Sequence, residues 1–130
     1  MAQFFGRLNS RLIALCAVLF ALAYMPAEAG ELPSHSKDAM AVISVTELPA
    51  EARETLLAIK QGGPFAYPRD GVVFNNFEQV LPKRQRGYYH EYTVVTPGES
   101  NRGVRRIISG AAHEYYYTTD HYQTFKRILE

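Results

Sequence analysis

The chain has 130 residues, a single cysteine and a formal net charge of +1, and 47% of its residues are hydrophobic. That length suits one domain, and near-neutrality argues against a static nucleic-acid clamp held by bulk charge. One cysteine excludes a disulfide framework within the chain.

From the N terminus, Arg7 and Arg11 precede an apolar stretch from Leu12 to Tyr24, which is too short and wrongly flanked for a membrane span. Pro26-Ala27-Glu28-Ala29 follows, with small residues where a cleavage site wants them. Residues 1–29 therefore read as a secretory signal peptide. The product is expected to be secreted, extracellular or periplasmic, without membrane attachment after cleavage. Removal of Arg7, Arg11 and Glu28 leaves 12 Lys plus Arg against 12 Asp plus Glu, a formal charge of zero. Cys16 goes with them, so the remaining 101 residues must be stabilised by their core alone, which is feasible at that size.

Residues 30–40 are polar and read as a flexible lead-in to a domain at 41–130. Ala41 to Val45 is β-prone and reads as an edge strand. Pro49 stands where a first helical residue belongs. Ala52, Leu56 and Ile59 then form one apolar stripe, with Leu57 expected to widen it, and Gly62-Gly63-Pro64 ends the helix. The stretch from Gly63 to Pro82 holds Pro64, Pro68, Asp70-Gly71 and Pro82, and reads as turns with a short extended piece at 72–74. Residues 88–95 and 104–109 read as a hairpin around Pro97-Gly98. Residues 115–118 and 124–129 read as two more strands. One helix before a run of strands predicts an α+β fold, an N-terminal helix packed on one face of a small antiparallel sheet.

Lys83, Arg84, Arg86, Arg102, Arg105 and Arg106 fall within 24 residues that hold only Glu91 and Glu99 as acids. A basic stripe on a neutral protein suits a polyanion that must be released. Residues 71–126 hold the chain's most reactive set of side chains. A carboxylate at Glu91, an imidazole at His121 and guanidinium groups can supply base, acid and phosphate contacts for metal-free phosphodiester cleavage. Strand alternation puts Tyr88, His90, Tyr92 and Val94 on one face and Tyr89, Glu91, Thr93 and Val95 on the other. If the helix covers the first set, Glu91 emerges opposite it. Arg105 and Arg106 must diverge, and only one can readily join Glu91.

Asp70-Gly71-Val72-Val73-Phe74 with Glu78 and Val80-Leu81-Pro82, then Gly87-Tyr88-Tyr89-His90-Glu91-Tyr92-Thr93, then Arg102-Gly103-Val104-Arg105-Arg106, then Tyr116-Tyr117-Thr118-Thr119-Asp120-His121-Tyr122, together resemble the microbial guanyl-specific ribonucleases. This is the group that includes barnase, and the streptomycete-type enzymes are the nearest in pattern. The resemblance runs from about Val45 to Phe125. It implies a secreted endoribonuclease that cuts single-stranded RNA 3′ of guanosine through a 2′,3′-cyclic phosphate, which is then hydrolysed. It assigns Glu91 as base, His121 as acid, and Arg102 and Arg106 as phosphate contacts. It places guanine on Phe74, Asn75, Asn76, Phe77 and Glu78, with Tyr122 capping the phosphate site. Some relatives carry Arg where Phe77 stands, and some have a disulfide that this chain lacks.

No cofactor or metal is expected, because the histidines show no metal-ligand spacing. His90 reads as structural, Arg105 as a surface residue, Tyr115 to Tyr117 as packing, and His35 and His113 as surface groups. The expected partners are single-stranded RNA and an acidic, barstar-like protein inhibitor over Arg102, Arg106 and His121, with the enzyme itself a monomer. The competing readings are an RNA-binding module that has lost catalysis and a delivered ribonuclease toxin of the same fold.

Overall fold

The computed structural model describes residues 39–130. The expected signal peptide, the lead-in as far as residue 38, Cys16 and His35 lie outside them. The chain enters through strand β1 (Val42–Ser44) and a single 3-10 turn at Val45–Glu47. Ser44 closes that turn, its N–H donating to the Glu47 carboxylate at 2.9 Å and its hydroxyl accepting from Thr46 N–H at 3.3 Å.

Helix α1 spans Ala50–Gln61, with Pro49 one position earlier than expected, as the residue before the first helical turn. Gly62 takes the left-handed conformation at φ 77° and lets Gly63 N–H reach Ala58 C=O at 2.9 Å, a stop that favours a residue without Cβ. Ala52 and Leu56 are buried and Ile59 partly so. Leu57 instead is 55% exposed. One residue beyond Leu56 turns the side chain about 100° around the helix, out of the stripe that meets the sheet.

The sheet continues with β2 (Tyr89–Thr93), β3 (Arg106–Gly110), β4 (Tyr115–Thr118) and β5 (Lys126–Leu129), in the order β1-β5-β4-β3-β2. Strands β2 to β5 form the expected antiparallel run, whereas β1 pairs parallel with β5, so the sheet is mixed at that edge. A tight hairpin obliges antiparallel pairing. β1 is followed by a helix and a long loop instead, and nothing local sets its direction. Strand β3 begins two residues later than expected, although Val94 N–H still donates to Arg105 C=O at 3.1 Å.

Strand alternation divides the buried side chains between the two faces. Beneath α1 lie Leu48, Val94, Ile107, Tyr115, Tyr117 and Ile128 with Ala52 and Leu56. On the other face Leu81, Tyr89, Ile108, Tyr116 and Phe125 form a second cluster, flanked by Phe74 and Tyr122. The loop before β2 builds this second layer. Gly71 N–H donates to Glu91 C=O at 2.8 Å, Glu91 N–H to Val72 C=O at 3.0 Å, and Phe74 N–H to Tyr89 C=O at 2.8 Å. The extended piece at 72–74 thus covers the outer edge of β2 and fixes its own register beside Glu91. His90 points to the helix side as expected, where Nδ1 bonds Gly71 C=O at 2.8 Å. Among the described residues no helix is long and apolar enough to cross a membrane.

Leu56 is 3% exposed and its neighbour 55%. Leu56→Ala is expected to destabilise by about 2–5 kcal/mol and Leu57→Ala by less than about 0.5 kcal/mol in urea denaturation. Equal effects would contradict this placement of the helix.

Candidate active site

Glu91 stands on β2 facing away from α1 and is 7% exposed. A buried carboxylate needs donors, and it has one on each oxygen. Arg102 Nη2 donates to Oε1 at 3.2 Å and the Tyr122 hydroxyl to Oε2 at 2.8 Å. Burial first, then the hydrogen bond to Glu91 and its negative charge, push the Tyr122 phenol up to about 12. The phenol therefore stays protonated at neutral pH and serves as a donor to Glu91, while its oxygen accepts from Arg106 Nε at 3.2 Å.

The two arginines are anchored before any ligand arrives. Arg102 Nε donates to the Thr93 hydroxyl at 3.0 Å. Arg106, 3% exposed, donates through Nη1 to the carbonyls of Arg102, Gly103 and Arg105 at 3.3, 2.9 and 2.8 Å. Three carbonyl dipoles offset the desolvation of that guanidinium. Among the described residues Arg102 Nη1 and Arg106 Nη2 make no hydrogen bond, which leaves each arginine an N–H to offer an anion. Arg105 faces the opposite side, where it bonds the Thr96 hydroxyl at 3.1 Å and the Val95 carbonyl and lies 3.9 Å from Glu51. The strand pleat thus gives the position beside Glu91 to Arg106.

His121 and Tyr122 sit in the β4–β5 loop with φ of 56° and 74°. Left-handed backbone at residues other than glycine costs on the order of 1–3 kcal/mol each and persists where surroundings impose it. Here Thr118 and Asp120 impose it. The Thr118 hydroxyl, on a residue 1% exposed, accepts from Tyr122 N–H at 3.2 Å and donates to Asp120 Oδ1 at 2.9 Å. Asp120 also accepts from the N–H groups of Gln123 and Thr124 at 3.1 and 2.9 Å and from the Thr124 hydroxyl at 2.6 Å. The His121 ring lies 4.6 Å from the Tyr122 ring. Asp120 thus organises the loop and is no partner of the imidazole.

Phe74, Asn75, Asn76, Phe77 and Glu78 line one cavity of about 380 Å³ together with Glu91, His121 and Tyr122. Arg102 and Arg106 adjoin it through their bonds to Glu91 and Tyr122. The Phe74 ring lies 5.0 Å from that of Tyr122. Asn76 takes φ 51° and its amide exchanges two bonds with the Leu81 backbone, at 2.9 and 3.1 Å. Its side chain therefore shapes the loop, leaving its backbone for a ligand. The Glu78 carboxylate has no hydrogen-bond partner among the described residues, and Phe77 is 87% exposed. A larger depression of about 590 Å³ beside Met40, Leu81 and Phe125 has Lys83 as its sole charged lining residue and so lacks an acid–base pair.

Four supporting residues escaped the reading of the sequence. Arg69 lines the cavity. Asp70 accepts from Thr93 N–H at 2.7 Å and from Tyr67 N–H at 3.1 Å, and lies 3.9 Å from Arg102 Nη2. Thr93 seats Arg102, and Thr118 seats the His121 loop. Thr118-Thr119-Asp120 was a legible signal, since hydroxyl and carboxylate residues in a turn commonly bond nearby N–H groups.

Hydrogen bonds from the Thr124 hydroxyl and N–H, and then from Thr118 and Gln123, lower the Asp120 carboxyl from 3.8 to about 2. Its stabilising contribution is complete above the unfolded value and is lost as pH falls through the folded one. Asp120→Asn is expected to destabilise at neutral pH, and its deficit against the unsubstituted protein is expected to shrink between pH 3.8 and about 2. A deficit constant across that range, measured by urea denaturation, would remove Asp120 from this role.

A ribonuclease family model matches residues 32–129. Guanyl-specific ribonuclease Sa of Kitasatospora aureofaciens is 55% identical over 92 residues, 70% of this chain and 96% of the relative. Guanyl-specific ribonuclease St of Saccharopolyspora erythraea is 46% identical over 96 residues, covering 74% and 95%. A structure of ribonuclease Sa2 complexed with mononucleotides superposes with a TM-score of 0.70 at 51% identity, covering 71% of this chain and 96% of that one. The chain belongs to the microbial guanyl-specific ribonuclease family.

Proposed function

We propose that this protein is an endoribonuclease that cleaves single-stranded RNA on the 3′ side of guanosine, by the groups gathered around Glu91. The observation that carries the reading is the single cavity lined by Glu91, His121 and the 74–78 loop. In it a base reader and an acid–base pair face one ligand. Relatives named guanyl-specific and a structure of ribonuclease Sa2 with guanosine-2'-cyclophosphate, 52% identical with a TM-score of 0.67, support the substrate class.

Glu91 takes the proton of the ribose 2′-hydroxyl, whose oxygen forms a bond to the adjacent phosphorus. The bond from phosphorus to the 5′-oxygen breaks, and His121 protonates that oxygen as it leaves. Water then opens the 2′,3′-cyclic phosphate with the two roles exchanged. Arg102 and Arg106, already seated, stabilise the charge that grows on the phosphoryl oxygens without reorganising. Tyr122 orients the Glu91 carboxylate and caps the phosphate site. Glu78 accepts paired hydrogen bonds from guanine N1–H and the exocyclic amine, a pattern adenine does not offer. Backbone N–H groups of Asn75 to Phe77 donate to O6, and Phe74 and Phe77 offer faces to the base. The 2′-hydroxyl is the nucleophile, so DNA is not a substrate.

Cleavage of GpC in the presence of a chelator tests the reading, with formation of cyclic phosphate as the readout. Glu91→Gln is expected to lower kcat by about a hundredfold or more, and Glu78→Ala to reduce the preference for GpC over ApC by about tenfold. The unsubstituted enzyme is expected to show a bell-shaped pH profile, whose acid limb reports an essential base and whose alkaline limb an essential acid. Full cyclising activity in Glu91→Gln would reassign the base.

The finer expectations rest on sequence alone. Residues 1–29 are a cleaved export signal, so the extracellular or periplasmic protein starts at Gly30, and mass spectrometry of exported material reads this directly. Lead-in 30–40 precedes a monomeric domain at 41–130. An acidic, barstar-like inhibitor covers Arg102, Arg106 and His121. Charge-reversed Arg102→Glu would abolish its co-purification, and retained co-purification would place the contact elsewhere.

A further inference from the structure

Next to the base cavity lies a second hollow of about 310 Å³. The two share Phe74 to Phe77 as a common wall, but Glu91, His121 and Tyr122 line only the first. The rest of the second hollow includes Lys83, Arg84 and Arg86, and no carboxylate lines it. All three cations are exposed, and none is engaged in a salt bridge among the described residues. Three like charges within four residues repel each other, and no acidic side chain pairs with them among the described residues.

Arg84 is also held in position. Its guanidinium lies 5.4 Å from the centre of the Tyr88 ring, and the Tyr88 hydroxyl donates to Glu114 at 2.6 Å. On the wall between the hollows stands Phe77, 87% exposed. Exposed aromatic faces beside a cationic groove suit successive stacked bases on a tracked backbone.

We infer that this hollow is a subsite for the nucleotide on the 5′ side of guanosine, with its phosphate on Lys83, Arg84 and Arg86 and its base against Phe77. The inference rests on the guanyl-specific reading above. With guanine on the 74–78 loop, the scissile 3′ phosphate lies toward Glu91 and His121. The strand leaves guanosine in the other direction through its 5′-oxygen, past the shared wall and into the basic hollow. The subsite raises the efficiency of cutting long chains without touching the scissile phosphate. An acidic protein surface would need the same cations but not the stacking face.

The test compares GpC, ApApGpC and GpCpApA as substrates for the unsubstituted enzyme and for the Lys83→Gln/Arg84→Gln/Arg86→Gln variant. The unsubstituted enzyme is expected to cleave ApApGpC with a kcat/KM about tenfold or more above that for GpC, with a steeper salt dependence. The variant is expected to lose most of that gain and to cleave GpC as before. The inference is overturned if the 5′ extension brings no gain, if the loss follows GpCpApA instead, or if all three substrates suffer equally. It is equally overturned if RNA kinetics are unchanged while binding of an acidic protein is lost. Should the unsubstituted enzyme fail to cleave GpC at all, the catalytic reading falls, and the subsite is judged by binding. ApApG must then bind more tightly than guanosine, and the variant must abolish that difference.

Discussion

A carboxylate 7% exposed, held between a guanidinium and a phenol, is the constraint around which this domain is arranged. Glu91 is out of bulk water, so its oxygens depend on Arg102 and Tyr122 for hydrogen bonds. Each of these has its own support. Arg102 leans on Thr93, whose backbone N–H is held by Asp70. Tyr122 leans on Arg106, and Arg106 on three carbonyls of the chain that brings Arg102. The network links the loop before β2, the hairpin β2–β3 and the loop after β4. Loss of one member would leave a buried polar group in another part of the domain unpaired.

The fold makes such a network possible by layering both faces of one small sheet. Helix α1 seals one face with apolar contacts, and the other carries aromatic packing that ends at the cavity rim. Phe74 belongs to both systems. It packs with the second cluster and lines the cavity, so the 74–78 loop is tied to the core rather than lying free on the surface. The strained backbone at His121 and Tyr122 is the counterpart across the cavity. Thr118 and Asp120 hold that strain with side-chain hydrogen bonds, which keeps the imidazole on the same cavity as the carboxylate.

Much of this is legible in the sequence. The alternation of Tyr88 to Val95 correctly separated Glu91 from His90, because a strand's side chains have a period of two and the helix can cover only one face. The spaced motifs also brought together the residues that line the cavity. Other features were out of reach for identifiable reasons. Leu57 looked like part of the apolar stripe because composition does not say how wide a face the sheet accepts. The parallel pairing of β1 is a contact between chain ends 85 positions apart, Val42 with Arg127, and no local turn announces it. The use of the Asn76 amide within its own loop was equally out of reach, because it depends on where Leu81 folds back.

The order of residues alone specified the elements, the chemical types at the site and the side of β2 from which Glu91 emerges, since these follow from short-range periodicity, turn chemistry and residue type. Packing between distant segments was needed to show that Arg106 reaches Glu91 through the Tyr122 hydroxyl, that Asp120 serves the loop rather than the imidazole, and that the hollow lined by Lys83, Arg84 and Arg86 shares a wall with the cavity at Glu91. Each of those outcomes depends on where a strand begins or a loop folds back. Backbone hydrogen bonds and packing between distant segments set those positions, and no window along the chain contains them.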